Sequence, residues 1–498
     1  MGNLTFVPIA LPFAAFCLTL LVYGRPKLQQ SVSIGAAGAY LAFAGWLLVD
    51  FGRLIPLTIQ AGDWPAPFGI SLIIDSLSAL MIAVTGIIYL GATIYTLHGV
   101  NAEDHPSMLP LLNVLMVGIS GAFITGDLFN LYVWFEVTLL ASFVLMSLGQ
   151  QSVRLVGALK YVALNLVSSL VFLMAVGLIY GAAHTLNLVD LKGHLLELQQ
   201  TDPAYVTILG VILFSAFAIK AGLFPFYSWL PASYHTISPA VSAVFAGLLT
   251  KVGLYAMFRV SLIVFPASDT LTRIILWLAP LTMLFGVLGA ITQTNIRRIL
   301  GFHIVSQVGY ISLAGAFMAA DEPALRLAGF AAGIFYMIHH ILVKTSLYLV
   351  SGLIHQATGS EELKELGGLR FRHPYMAILF AIPALSLAGL PPSSGFWAKL
   401  ALFKAALSAE YYIPTAAMIV AGFLTVFSMV KIWNGAFWSA APPSDTTRRP
   451  GLPRPMLGCT LLVIVSLTIG LLPDLLMDKA LEAANQLISR PATEVVKP

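Results

Sequence analysis

Charge is what this sequence has least of. Only 10% of its 498 residues are Asp, Glu, Lys or Arg, against roughly 25% in an ordinary soluble domain. So few charges cannot cover the surface of a water-soluble protein of this length, and that class is excluded. Cysteine is scarcer still. Cys17 and Cys459 are the only two, and both lie in apolar runs. That excludes a thiolate cluster or zinc site and leaves two small hydrophobes. The net charge of +4 has no basic block behind it, and no stacking or zinc motif accompanies it, so nucleic-acid binding is not expected. No cofactor motif and no metal-ligand set stands out. The first apolar run, residues 4–23, has no basic n-region and no small-residue cleavage site. It reads as a retained span rather than a signal peptide.

What is present is apolar: mean hydropathy is +0.89. A membrane-spanning helix needs about 20 such residues, and fourteen runs qualify: 4–23, 32–52, 73–97, 107–126, 127–149, 160–183, 204–224, 236–264, 270–292, 294–319, 325–355, 373–405, 412–438 and 455–473. Only Thr125-Gly126-Asp127 divides 107–149 into two. Ala183 to Asp202 and Asp474 to Arg490 look amphipathic and are expected along the membrane surface. The expected fold is therefore an all-α integral membrane protein of about 14 transmembrane helices. With the N-terminus outside, twelve Lys and Arg fall inside, Arg25, Lys27, Arg154, Lys160, Arg297 and Arg298 among them. Eight fall outside, Arg53, Lys192, Arg259 and Arg326 among them. The excess has the sign of the positive-inside rule. The 98–106 hairpin, with Glu103 and Asp104, carries no Lys or Arg.

The remaining six basic residues are Lys220, Lys251, Lys344, Lys399, Lys404 and Lys431, all within predicted spans. A charge at mid-span costs about 2.5–3.5 kcal/mol. Lys404 and Lys431 lie toward helix ends, where an ammonium can snorkel to the interface. Lys220, Lys251, Lys344 and Lys399 are flanked by apolar residues on both sides. Glu136 is the only acid near the middle of a span, whereas Asp75 and Asp127 stand at span starts and read as helix caps. At about 4 Å and an effective dielectric of about 20, a Glu–Lys pair is worth about 4 kcal/mol. A proton moving near one member would then change the other. His303, Ser306, Gln307, His339, His340 and Thr345 add polarity to the tenth and eleventh spans, and a helix from about Leu325 puts Tyr336, His340 and Lys344 on one face.

Two spans look broken. Lys220-Ala-Gly-Leu-Phe-Pro-Phe226 and Ala388-Gly-Leu-Pro-Pro-Ser-Ser-Gly-Phe396 place prolines at membrane depth, where non-helical backbone survives only if protein or water satisfies it. The shared Ala-Gly-Leu suggests an internal repeat, a recurrent transporter design.

Together, Asp127-Leu-Phe-Asn-Leu-Tyr-Val-Trp-Phe-Glu136, Lys220-Ala-Gly-Leu-Phe-Pro-Phe-Tyr-Ser-Trp-Leu-Pro231, Ser238-Pro239 followed by Lys251, and Gly389-Leu-Pro-Pro-Ser-Ser-Gly-Phe396 before Lys399 resemble the antiporter-like subunits of respiratory complex I and of multisubunit Mrp-type sodium/proton antiporters. The resemblance implies two inverted five-helix repeats with broken helices 7 and 12. The corresponding division is 1–106 (helices 1–3), 107–264 (first repeat), 270–438 (second repeat) and 455–498 (helix 14 and tail). It implies a proton route made by Glu136 paired with Lys220, then Lys251, then His340 and Lys344, ending at Lys399. Some relatives carry histidine where this chain has Gln307, which cannot hold a proton charge. The Asp127–Val133 string and the lysine at 399 favour the Mrp D-type subunit. A chain ending at Pro498 lacks the C-terminal extension of the L-type and Mrp A subunits. The implied function is proton translocation within a monovalent cation (Na+)/proton antiporter of the bacterial plasma membrane. Its implied partners are Mrp A, B, C, E, F and G type subunits. The alternative is an M- or N-type pumping subunit of complex I or a membrane-bound hydrogenase. The chain is then a transporter subunit, and a translocase only within a redox complex.

Overall fold

The computed structural model describes residues 2–49, 55–96, 106–149, 152–440 and 453–489. Each of the fourteen predicted runs contains helix among its described residues, and the 373–405 run is two helices. Among the described residues, eleven helices, Gly2–Leu21 being the first, are long and apolar enough to cross a membrane. Met108–Ile124 and Pro374–Ala388 are shorter apolar helices, and Pro455–Leu471 bends by 82° into Asp474–Ile488. Arg53, His98, Glu103, Asp104, Arg448, Arg449, Arg490 and Lys497, all charged or polar positions of the predicted loops and tail, lie outside the described residues.

In chain order α1 is Val7–Leu21, α2 Pro26–Val49, α3 Ser76–Tyr95, α4 Met108–Ile124, α5 Leu128–Ser147 and α6 Ser152–Ala183. Next come α7 (Leu188–Thr201), α8 (Pro203–Ala221), α9 (Trp229–Ser233), α10 (Pro239–Val244), α11 (Thr250–Ile263), α12 (Asp269–Thr292), α13 (Ile296–Leu313) and α14 (Pro323–Thr358). The chain continues through α15 (Leu369–Arg372), α16 (Pro374–Ala388), α17 (Ser394–Ser408), α18 (Tyr412–Trp433), α19 (Pro453–Leu471) and α20 (Asp474–Ser489). The two amphipathic stretches are separate helices, α7 and α20.

The boundaries follow local chemistry. Asp75 caps α3 by accepting from Ser78 N, and Asp127 caps α5 by accepting from Asn130 N. The Asp127 cap is what separates α4 from α5, because Thr125 before it is extended. Pro26, Pro203, Pro239, Pro323 and Pro374 open helices, where the missing N–H costs nothing.

One element was not expected in an all-α chain. Strands β1 (Leu57–Gln60) and β2 (Ser71–Ile74) pair antiparallel, Leu57 opposite Ile74 and Gln60 opposite Ser71. They join α2 to α3, and an isolated bridge, Leu72 to Thr125, ties them to the α4–α5 turn. The hairpin is too short to announce itself beside apolar runs of helical length.

The core is built around α14. Its 36 residues are buried over most of their length and touch α13, α16, α17, α19 and α20. By contrast α6 exposes Leu155, Leu159, Leu166 and Leu170. Both predicted breaks are real. α8 ends on Gly222 at φ 77°, ψ 40° and α16 on Gly389 at φ 84°, ψ 39°. Each glycine takes the left-handed conformation that other residues rarely adopt. In each, the following leucine N–H donates back five residues, Leu223 to Ala218 O and Leu390 to Leu385 O. The Ala-Gly-Leu string thus encodes one helix stop used twice.

Candidate functional site

The four mid-span lysines lie at contacts between helices that touch in succession. A Cβ added at Gly253 on α11 would come within 3.3 Å of Lys220 Cβ on α8, so the helix of Lys251 lies directly on that of Lys220. Between α10 and α11 the turns widen, with π-helical bonding over Phe245–Leu249. Such bulges free carbonyls and recur at functional sites. Here the Ala246 carbonyl accepts from Lys251 Nζ at 2.6 Å. A Cβ on the adjacent Gly247 would collide with Thr345 Oγ1, so only glycine lets this widened turn seat against α14 beside Lys344. Lys344 Nζ donates to Leu300 O of α13 at 3.2 Å. Farther along α14, His339 meets α17: Gly395 packs on its ring, and His339 Nδ1 is 2.8 Å from Ser394 Oγ. Five residues beyond Ser394, Lys399 Nζ donates to Leu387 O and Ala388 O at 2.9 and 2.8 Å. Those are the last carbonyls of the broken helix, where the negative end of its dipole lies.

Lys220, Lys251, Lys344 and Lys399 therefore lie along a line of packed helices. Tyr336, His340 and Lys344 share one face of α14 as expected, and all are fully buried. Among the described residues both ring nitrogens of His340 lack a hydrogen-bond partner. So do Lys220 Nζ, Ser306 Oγ, Gln307 Nε2, His303 Nδ1, His339 Nε2 and Thr250 Oγ1. Gln307 sits within the line, its Oε1 accepting from Tyr336 OH at 2.6 Å.

Glu136 and Lys220 are close to one another but not joined. Glu136 is half-buried and accepts from Ser169 Oγ of α6. Lys220 Nζ lies 5.1 Å from the centre of the ring of Phe135, the residue beside Glu136. No ion pair within 4.0 Å connects the two among the described residues. The expected contact is open in this state. Lys404 is exposed, and Lys431 Nζ donates to Ile291 O and Gln293 O at the end of α12, at 2.8 and 2.6 Å. Neither belongs to the line.

Two arginines of the predicted spans, counted on sequence only towards the inside–outside balance, belong to buried pairs. Arg259 is in α11, with Nη1 2.6 Å from Asp75 Oδ2 and 3.0 Å from Tyr255 OH. Arg297 opens α13, with Nη2 2.5 Å from Glu361 Oε1 and Nε 2.7 Å from Glu361 Oε2. Sequence reasoning also missed Ser169, Ser394 and Ser428, the last of which contacts His303 Nε2. Serine is too common in spans for its position alone to flag it.

Residues 125–425, the stretch that contains this line, match the family described as NADH:quinone oxidoreductase/Mrp antiporter, TM. The chain is 38% identical over 490 residues to the D-type subunit of the Na+/H+ antiporter of Alkalihalophilus pseudofirmus, covering 98% of each. It is 34% identical to the D-type subunit of the Bacillus subtilis Na+/H+ antiporter, again over 98% of each. It superposes with a TM-score of 0.89 on a chain of the Mrp complex from Dietzia sp. DQ12-45-1b, at 30% identity and over 100% and 99% of the two chains. A chain of respiratory complex I from Thermus thermophilus shares the fold, with a TM-score of 0.83 at 21% identity and 98% and 100% coverage.

Proposed function

The chain belongs to the NADH:quinone oxidoreductase/Mrp antiporter membrane family, and from that premise we propose that it is the proton-translocating subunit of a multisubunit Na+/H+ antiporter. It works as a multi-pass protein of the bacterial plasma membrane, assembled with subunits of the Mrp A, B, C, E, F and G types. Its carriers are Glu136, Lys220, Lys251, His340, Lys344 and Lys399.

One observation carries this reading. Four lysines lie in the interior with no carboxylate in contact among the described residues. They meet backbone carbonyls or nothing but an aromatic face. A buried ammonium without a counterion is costly. It therefore takes or gives a proton in response to its neighbours. Buried polar atoms are normally hydrogen-bonded, to water where protein supplies no partner. The unpartnered nitrogens and hydroxyls between Lys220 and Lys399 are where such water would bridge the steps.

Glu136 and Lys220 act as the switch. When they touch, the carboxylate stabilises the protonated lysine; when they part, as here, Ser169 takes the carboxylate and Lys220 is driven to release its proton towards Lys251. Lys344, with His340, receives it beyond the widened turn, and Lys399 ends the route. Antiport by the assembled complex in vesicles tests this. Glu136→Ala, Lys220→Ala and Lys399→Ala should each abolish exchange with assembly intact. Wild-type exchange in all three would refute the route. Purifying the native assembly separates the antiporter from a redox pump: iron–sulfur partners would mean the latter.

A further inference from the structure

Where the first broken helix reaches the rim predicted to face inward, a cup of about 680 Å³ opens. One wall is the start of α6. The other is the segment from Tyr227 to Thr236, with Gln293 and Arg298 from the α12–α13 turn. Two exposed cations, Lys160 and Arg298, line it, and no acidic residue does. Neither cation has a carboxylate within ion-pair distance among the described residues.

His235 holds Arg298 in place. Its Nδ1 lies 3.0 Å from Pro231 O, a carbonyl that can only accept, so Nδ1 carries the hydrogen. Nε2 then has a lone pair, which accepts from Arg298 Nη2 at 3.2 Å. A surface arginine anchored by a neutral imidazole is a preorganised anion site, because less freedom is lost on binding. Outside the cations the lining offers hydroxyl donors from Ser152 and Ser228, the Thr236 hydroxyl being engaged with Ser233 O at 2.7 Å. The outer wall is apolar: Val153 and Val156 are 62% and 51% exposed.

We infer that this cup holds a phosphate group, presented by the headgroup of an anionic phospholipid of the inward leaflet, whose acyl chains lie along the apolar wall of α6. Cations, hydroxyl donors and an absence of carboxylates suit a phosphodiester. The exposed valines distinguish a lipid from a free anion. Which leaflet is involved rests on the membrane reading above.

The test uses the purified complex and titrations with short-chain phosphatidylglycerol, short-chain phosphatidylcholine and inorganic phosphate. Phosphatidylglycerol should bind more tightly than phosphatidylcholine. Each lost cation should weaken it about five-fold, and Lys160→Gln with Arg298→Gln together about 25-fold. Lys160→Arg should restore wild-type affinity. Lys27→Gln, an exposed cation on the same predicted face, should change nothing. Unchanged affinity in the double variant, or an equal loss in Lys27→Gln, overturns the site. If only inorganic phosphate responds to the substitutions, the lipid assignment is overturned. Antiport measured on the same preparations keeps the two readings apart, since exchange that persists without the lipid leaves the proposed function standing.

Discussion

Buried charge is handled in opposite ways at the rims and in the interior of this molecule. Near the rims, Arg259 and Arg297 each have a carboxylate at 2.6 or 2.5 Å. In the interior Lys220, Lys251, Lys344 and Lys399 have none among the described residues. Were charges here only to hold helices together, both regions would use pairs. The rim pairs do that work, Asp75 at the start of α3 with α11, and Glu361 beyond α14 with α13. The unpaired lysines are costly by comparison, and that cost along a packed line is what the proposed proton-carrying role would account for.

Substitutions sharpen this contrast. Lys344→Met should lower antiport by about 100-fold or more, the worth of a positioned proton-transfer group. Thermal stability should hold or rise, since an uncompensated buried charge disappears. Paired measurements of exchange and unfolding decide it; a large loss of stability would place Lys344 with the staples. The reverse pattern is expected at the rim. Arg259→Gln should destabilise by about 3–5 kcal/mol, because it strands Asp75. Adding Asp75→Asn should recover most of that loss, with exchange per assembled copy retained. A smaller change is expected from Ser169→Ala, which removes one hydrogen bond from Glu136, about 1 kcal/mol. It should shift the pH dependence of exchange with little change in assembly; a profile identical to wild type would remove Ser169 from the switch.

The smallest effect concerns His235 at the inward rim. Burial, then Arg298, and more weakly Arg297 and Lys160, lower its pKa from 6.5 to about 4. The unfolded chain therefore binds this proton first as pH falls. The stabilisation from neutral His235 is complete above about pH 6.5 and is lost as pH drops towards 4. His235→Gln should flatten that part of the acid-unfolding curve, which a pH series of unfolding temperatures would reveal.

The spans were legible because a bilayer imposes length and hydropathy on each run, and the breaks because proline and Ala-Gly-Leu act locally. The lysine line was legible for the same reason: an ammonium among apolar residues stands out without any partner being known. What lay hidden was pairing. Asp75 and Arg259 are 184 residues apart, so Arg259, close to a span end, was counted only towards the inside–outside balance. The resemblance paired Glu136 with Lys220, whereas the structure shows a hydroxyl on α6 donating to the carboxylate. The widened turn at Phe245–Leu249 depends on α14 packing against Gly247, a contact that no local pattern announces. Ordinary turn residues concealed the hairpin of β1 and β2.

The rim-and-interior contrast turns on whether a lysine with no counterion carries protons. Lys251 tests this most directly, being fully buried and held only by the Ala246 carbonyl. Antiport should be measured for Lys251→Met in vesicles containing the assembled complex at wild-type abundance. Exchange is expected to vanish while the complex remains intact. Exchange at the wild-type rate would contradict the account.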